Sequence, residues 1–195
     1  MLEREEVLRL LEEAEVLQKG HFLLTSGRHS DTYLQCAKLF RNTKYAEAIC
    51  KSLAEQFAGD RIDVVIGPAM GAVQMAYEVS RHLGCENYFA EREEGKMTLR
   101  RGFAVKPGMR VLVVEDVVTT GGSVREVIEL VRASGGEVCG VGVVVDRTGG
   151  KIDFGAPLKA VLSMEVQSWE EKECPLCRGG AGAPIKPGSC KAVAR

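Results

Sequence analysis

Apolar and polar residues alternate along the middle of the chain with two different periods. Short runs rich in apolar and aromatic residues predict strands at residues 62–66, 87–90, 110–115, 138–145 and 159–164. Longer stretches with apolar residues at helical spacing lie between strands, at residues 73–83 and 123–133. This succession predicts an α/β fold with a mostly parallel central sheet, flanking helices and right-handed crossovers.

The N-terminal part of the chain follows a different pattern. Residues 2–18 have apolar side chains at helical spacing, and Gly20 predicts the end of that helix. Residues 21–37 are typical of a strand, a turn and a second strand. Thr43 is a candidate cap for another helix, which we expect to extend to about residue 57.

The residues most informative about chemistry lie at 111–123. Four apolar residues predict a strand buried on both faces, and Glu115 and Asp116 follow where the strand is expected to emerge into solvent. Small hydroxylated and glycine residues, Thr119 to Ser123, then precede a helix. Glycines let backbone amides turn towards a ligand, and a helix N-terminus favours an anion. We therefore expect a phosphate cradle preceded by two carboxylates.

Other phosphate motifs do not fit this segment. It has no Gly-Lys-Ser/Thr, and its acids precede its glycines, which excludes a Walker loop. The Gly-x-Gly-x-x-Gly spacing of dinucleotide-binding loops is also absent from it. The alternative is structural: a buried strand, a solvated acidic pair and an ordinary glycine turn.

Two further segments are expected at the same edge, because the carboxyl ends of parallel strands meet there. Residues 67–71 follow a strand and open a helix, so they are either a close approach to a diphosphate or a packing turn. Asp146 and Arg147 end another strand. Arg147 is either a solvated surface residue or a guanidinium that grips a planar carboxylate.

Residues 91–101 are strongly polar and contain a glycine between two predicted strands. They predict a mobile loop, which is either a solvated charged segment or a basic lid. A lid of this kind would stabilise a departing diphosphate and exclude water.

Composition and charge narrow the class of protein. The chain has 195 residues, 45% hydrophobic and 27% charged, which suits one globular domain. Lys and Arg total 26 against 27 for Asp and Glu, so a dominant nucleic-acid or membrane surface is not expected. No export signal or membrane-length apolar run is apparent, and we expect a cytoplasmic enzyme with reduced cysteines.

Three of the seven cysteines lie close to the C-terminal end of the sequence. Cys174 and Cys177 have zinc-knuckle spacing, and Cys190 follows thirteen residues later. No histidine follows His82, so these three cysteines leave a structural zinc one ligand short unless another cysteine or a partner contributes. Metal binding, an oxidisable pair and plain structural thiols all remain open, the last being favoured.

The segment at 111–123 resembles the phosphoribosyl-diphosphate (PRPP) signature of the type I phosphoribosyltransferases. The stretch from Gly20 to Tyr33 resembles the Phe-x-Leu-x-Ser-Gly-x-x-Ser-x-x-Tyr/Phe hood of the orotate phosphoribosyltransferase family. With Arg147 and the lid, the likeness spans nearly the whole chain, and it is closest to a compact bacterial and archaeal form. It implies the type I fold, with a hood at about 1–40 plus a C-terminal segment, a core at about 41–165 and a cysteine-containing tail at about 170–195.

The resemblance also implies site roles. Glu115 and Asp116 would hold the ribose hydroxyls, directly or through Mg²⁺, and Lys96 would join them as a catalytic residue. Arg147 would bind the orotate carboxylate, with Thr119 also reaching orotate. The residues implied for PRPP are Arg92, Lys96, Glu115, Asp116, Val117, Val118, Thr119, Thr120, Gly121, Gly122 and Ser123. A homodimer whose lid closes over the partner's site is implied as well.

The chain departs from many members of that family at three positions. Thr25 and Gly71 stand where those members have lysines, and Thr98 stands where they have a lid histidine. Lys96, Arg92, Arg100 and Arg101 are therefore the remaining candidate lid cations.

Two other classes of protein would carry the same PRPP signature. A purine-type phosphoribosyltransferase would lack the hood pattern, and a non-catalytic PRPP-sensing regulator would be expected to gain a nucleic-acid-binding patch.

Overall fold

The computed structural model describes residues 1–24 and 26–187, so Thr25 and Cys190 lie outside the described part of the chain. The helices are Arg4–Glu13 (α1), Thr43–Gln56 (α2), Val73–Leu83 (α3), Gly122–Ala133 (α4) and Pro175–Arg178 (α5). The strands are Leu17–Leu23 (β1), His29–Leu34 (β2), Val64–Pro68 (β3), Glu86–Glu93 (β4), Lys96–Leu99 (β5), Arg110–Val118 (β6), Glu137–Asp146 (β7) and Leu158–Ser163 (β8). Short 3-10 helices lie at Cys36–Arg41 and Glu171–Glu173.

The central sheet has the strand order β5-β4-β3-β6-β7-β8. The pairs β3/β4, β3/β6, β6/β7 and β7/β8 are parallel, and only the edge pair β4/β5 is antiparallel within this sheet of the described residues. The predicted mostly parallel α/β sheet is confirmed. The carboxyl ends of β3, β6 and β7 lie side by side, which brings the predicted segments to one edge.

Strand β6 is buried on both faces, as its apolar run predicts. Leu112 and Val114 pack in the cluster formed with helices α1, α2 and α3. Val111 and Val113 pack in a second cluster, on the side of α4. Successive side chains of a strand point to opposite faces. Strand β6 therefore packs into both layers of the core, and this packing fixes the position of its C-terminal end.

The N-terminal helix is shorter than the pattern predicts. It ends at Glu13, and Leu17, which we expected in the helix, pairs with Leu34 in the antiparallel β1/β2 ribbon. Glu15 adopts a left-handed φ of 56° between the two elements. The expected cap of α2 is also one residue off, since the side chain of Asn42, not Thr43, accepts the hydrogen bond from the Lys44 amide.

The charged segment at 91–101 is not the irregular loop that we predicted. Most of it forms the hairpin of β4 and β5, with Glu94 and Gly95 at the turn in left-handed conformation. Cross-strand pairing extends β4 to Glu93, because Arg92 pairs with Met97 and Met97 is buried. Among the described residues, no helix is long and apolar enough to cross a membrane.

Candidate active site

The two acidic residues of the signature lie within β6 and not beyond it. Strand pairing with β7 continues to Val118, so Glu115 and Asp116 are half-buried instead of emerging into solvent. Burial, reinforced by the neighbouring charge of Asp116, raises the pKa of Glu115 to about 8. Burial likewise raises the pKa of Asp116, and its amide donates to Glu115 Oε1 at 3.2 Å. A cation bound beside these two half-buried carboxyl groups would stabilise their charged forms.

Asp116 faces the turn that follows β3. A Cβ atom added to Gly71 would lie 3.1 Å from Asp116 Oδ2, so the glycine backbone passes directly beside this carboxylate. The turn predicted at 67–71 therefore meets the end of β6, as expected for neighbouring parallel strands.

The glycine-rich loop after β6 forms a pocket of about 230 Å³. Gly121 has a left-handed φ of 73°, and a Cβ atom there would clash with Ile152 and Phe154, so only glycine fits this turn. Helix α4 begins at Gly122 without a side-chain cap, which leaves its first amides directed at the pocket. The pocket is lined by Arg92, Glu115, Val117, Val118, Thr119, Thr120, Gly121, Gly122, Ser123, Val124 and Glu126. With the exception of Asp116 and Lys96, the structure brings together every residue that the resemblance implies for PRPP.

The two lid cations are held differently. Arg92 makes a two-pronged ion pair with Glu126 of α4, at 2.6 and 2.8 Å, and also donates to the Gly95 carbonyl. Lys96 pairs across the hairpin with Glu93, is exposed, and lines a separate pocket together with Met97 and Glu129. It does not line the pocket of the glycine-rich loop.

A second and larger pocket of about 640 Å³ lies between the hood and the sheet edge. Thr119 lines both pockets, and Arg147 lines the second one. Burial lowers the pKa of Arg147, and its Nε atom is buried with no hydrogen-bond partner. The remaining lining residues are Leu23, Leu24, Ser26, Thr32, Tyr33, Leu34, Ser168, Lys186 and Pro187. A guanidinium group in a pocket lined by both apolar and hydroxyl side chains suits a flat anionic ligand.

Asp146 stabilises the turn that follows Arg147 and joins it to Ser163 of β8, a role that we did not predict from the sequence. The Asp146 carboxylate accepts hydrogen bonds from the Thr148 amide and hydroxyl, the Gly150 amide and the Ser163 hydroxyl, at 2.6 to 3.0 Å. Burial opposes ionisation, but these four donors outweigh it and lower the pKa. The sequence signal was available: an aspartate followed by Thr-Gly-Gly is typical of a side-chain-stabilised turn.

The C-terminal segment holds the hood closed over this pocket. Arg28 donates to the Ser168 hydroxyl and carbonyl, and the Ser30 hydroxyl donates to the Gln167 carbonyl at 2.7 Å. Backbone hydrogen bonds join His29 to Trp169 in both directions. Arg28 and Ser30 of the hood pattern thus attach residues that are distant in sequence.

The donor set at the sheet edge fits Mg²⁺. This ion prefers carboxylate and substrate phosphate oxygens, and Glu115 and Asp116 supply carboxylates beside the phosphate loop. A bound cation would also offset the burial that raises both pKa values, because it stabilises the charged carboxylates.

Comparison with known proteins agrees with this geometry. The phosphoribosyl transferase domain family matches residues 38–176. An orotate phosphoribosyltransferase of Caldanaerobacter subterraneus subsp. tengcongensis is 59% identical over 190 residues, which cover 97% of this chain and 100% of that protein. This alignment includes the hood and the cysteine segment, whereas the family model covers neither of them completely.

Solved structures support the same fold. The orotate phosphoribosyltransferase of Mycobacterium tuberculosis H37Rv, solved with inorganic phosphate, has a TM-score of 0.66 and 29% identity, with 81% of this chain and 95% of that chain covered. An adenine phosphoribosyltransferase of Rhodothermus marinus has a TM-score of 0.61 over 80% of this chain and 99% of that chain. At 21% identity, the second likeness shows the fold alone.

Proposed function

This chain belongs to the orotate phosphoribosyltransferases of the phosphoribosyl transferase domain family, and from that premise we propose that it transfers the 5-phosphoribosyl group of PRPP to orotate with Mg²⁺. The products are orotidine 5′-phosphate and diphosphate, a step of pyrimidine nucleotide synthesis. We also propose that it acts as a cytoplasmic homodimer. No disulfide joins the six cysteines within the described residues, which suits a reducing compartment.

The observation that best supports this reaction is the position of Thr119 between the two pockets. It lines the phosphate loop on one side and the Arg147 pocket on the other, so ligands in the two pockets would meet beside it. Such a meeting point is what transfer of a ribosyl group between two bound substrates requires.

Each pocket has a separate task in the proposed reaction. The amides and hydroxyls of residues 119–123 bind the 5′-phosphate, and the Glu115 and Asp116 carboxylates orient the ribose hydroxyls. Arg147 grips the orotate carboxylate and directs at C1′ a ring nitrogen that has already lost its proton to solvent, while the apolar residues of the hood exclude water. The C1′–O bond to diphosphate breaks as the C1′–N bond forms. Mg²⁺ bound at this site would offset negative charge on the diphosphate and ribose oxygens.

The proposal includes a lid that acts across the dimer. Lys96 lies outside the PRPP pocket of its own chain, and Arg92 is paired to Glu126. An exposed lysine directly after the hairpin turn is suited to deliver its charge to a neighbouring subunit. Arg100 and Arg101 bind Glu91 in the same hairpin, which leaves Lys96 as the better candidate for the leaving group.

The test is the loss of orotate absorbance when purified protein receives PRPP and Mg²⁺. We expect loss with orotate, none with uracil, and none when EDTA replaces Mg²⁺. Parallel assays with adenine and hypoxanthine test the purine alternative, which predicts the reverse preference. PRPP binding without turnover of any base would overturn the enzyme proposal in favour of a PRPP-sensing regulator.

A further inference from the structure

Four potential metal ligands from opposite ends of the chain meet behind the hood. His21 of β1 and His29 of β2 face Cys174 and Cys177, which flank the start of α5. His21, His29 and Cys174 are buried, and Cys177 lies at the solvent edge. All four ligand atoms lie within 4.8 Å of one another. The group is separate from both pockets of the active site.

Four of the six distances between these atoms are close to the edges of a tetrahedron around one ion, and the other two are no longer than 4.8 Å. His21 Nε2 lies 3.0 Å from His29 Nδ1 and 3.6 Å from each cysteine sulfur, and Cys177 Sγ lies 3.3 Å from His29 Nδ1. Tetrahedral Zn²⁺, with Zn–N of about 2.0–2.1 Å and Zn–S of about 2.3 Å, sets neighbouring ligand atoms about 3.3–3.8 Å apart. We propose that His21, His29, Cys174 and Cys177 bind a structural Zn²⁺ ion.

The surroundings prepare His21 for this role. Its Nδ1 atom lies 2.9 Å from the Gly182 carbonyl, and a carbonyl only accepts, so Nδ1 carries the proton. The lone pair of a neutral ring is then on Nε2, the atom that faces the two sulfurs. Carbonyl partners of this kind orient histidine ligands at many metal sites. Cys177 at the solvent edge provides a route by which the ion enters and the thiol protons leave.

The site explains the Cys-Pro-Leu-Cys spacing that the sequence left open. The sequence near the two cysteines contains too few ligands for a structural zinc site. The missing ligands are the two histidines, and His21 lies 153 residues before Cys174. Cys190 is not required for the donor set and lies outside the described residues. An ion with closed coordination of this type contributes to folding and not to turnover.

The consequence is a fixed attachment of the C-terminal segment to the hood. Trp169 pairs with His29 before the cysteines, and Ile185 pairs with His21 and Leu23 after them. Zn²⁺ would lock the α5 turn between these two attachments. Lys186 and Pro187, which follow directly, line the pocket assigned to orotate, so the ion supports one wall of that pocket.

The experiment measures metal in the full-length protein and needs no catalytic assay. Zinc content by mass spectrometry should be one ion per chain, and zinc release should follow titration of the thiols. Protein reloaded with Co²⁺ should show the intense visible bands of tetrahedral cobalt and a near-ultraviolet thiolate charge-transfer band. Cys174→Ser, Cys177→Ser and His29→Gln should each lose the ion, while Cys139→Ser and Cys190→Ser should retain it.

Several results would overturn the proposal. They are a substoichiometric zinc content, a cobalt spectrum without thiolate bands, a Cys174–Cys177 disulfide in the purified protein, or loss of the ion in Cys190→Ser. The wild-type cobalt spectrum keeps the test valid even if a variant fails to fold. A zinc-selective chelator in excess Mg²⁺ should lower the Tm, whereas failure of the proposed reaction would leave zinc content and spectrum unchanged.

Discussion

Gly71 and Asp116 lie in direct contact across neighbouring strand ends, and a Cβ atom on Gly71 would approach Asp116 Oδ2 to 3.1 Å. This chain has glycine at position 71, where many members of the orotate phosphoribosyltransferase family have lysine. The carboxylate therefore borders bare backbone, and the space beside it is available to substrate and ion.

Gly71→Ala should weaken PRPP binding without unfolding the protein. The added methyl group forces Asp116 to shift by a few tenths of an ångström, and positioning errors of this kind cost catalysis far more than stability. We expect kcat/KM for PRPP to fall about tenfold or more while the Tm changes little. Gly59→Ala is the matched control, because a Cβ atom there meets nothing within 4 Å. Equal kinetics for the two variants would contradict the contact.

Glu115→Gln should stabilise the free enzyme in a pH-dependent way. Burial raises the pKa of Glu115 from 4.5 to about 8 in the folded state. Between these values the folded protein holds a proton that the unfolded chain has lost, so stability falls as the pH rises. Glu115→Gln removes this pH-dependent loss of stability, which is on the order of a few kcal/mol once Glu115 is fully ionised.

The measurement is the Tm of both proteins without Mg²⁺ or PRPP, from about pH 5 to about pH 8, the window between the two Glu115 pKa values. The Tm advantage of Glu115→Gln should grow across this range, although its turnover is lost. Glu129→Gln, at an exposed position of α4, serves as control. A constant difference between Glu115→Gln and wild type at every pH would refute the raised pKa.

Arg147→Ala should raise the KM for orotate far more than the KM for PRPP. Hydrogen bonds to charged groups contribute about 1.5–3 kcal/mol, which corresponds to about one to two orders of magnitude. Arg147→Lys should recover part of the loss, since it restores charge but not the two-pronged geometry. Arg132→Ala is the control, because Arg132 binds the Gly155 carbonyl outside both pockets. A parallel rise of both KM values would remove Arg147 from carboxylate recognition.

Lys96→Ala should lower kcat by about two to three orders of magnitude, as loss of a group that stabilises developing charge does. If the lid acts in trans, mixing Lys96→Ala with Asp116→Asn chains should restore activity. Hybrid dimers then contain one site with both residues intact. A lid that acts within its own chain would leave every hybrid site defective, and the mixture would stay inactive.

Much of the fold follows from local pattern alone. The valine-rich run of β6 and the helical spacing of α3 and α4 depend on near neighbours, so strands, helices and the parallel sheet could be predicted. The glycine-rich loop at 119–123 was equally visible, because its glycines and hydroxyl residues are consecutive in the sequence. Element ends were less predictable, since pairing with a distant strand extended β4 and β6 and drew Leu17 out of the helix.

The amino-acid sequence by itself determined the α/β class, the glycine-rich loop and the likeness to one enzyme family. Only the tertiary structure decided which side chains act together. It set Gly71 against Asp116, joined Asp146 to Ser163, and brought His21 and His29 to Cys174 and Cys177. These relationships join residues far apart in the chain, and their pKa values and geometry come from burial and contact, which no local pattern encodes.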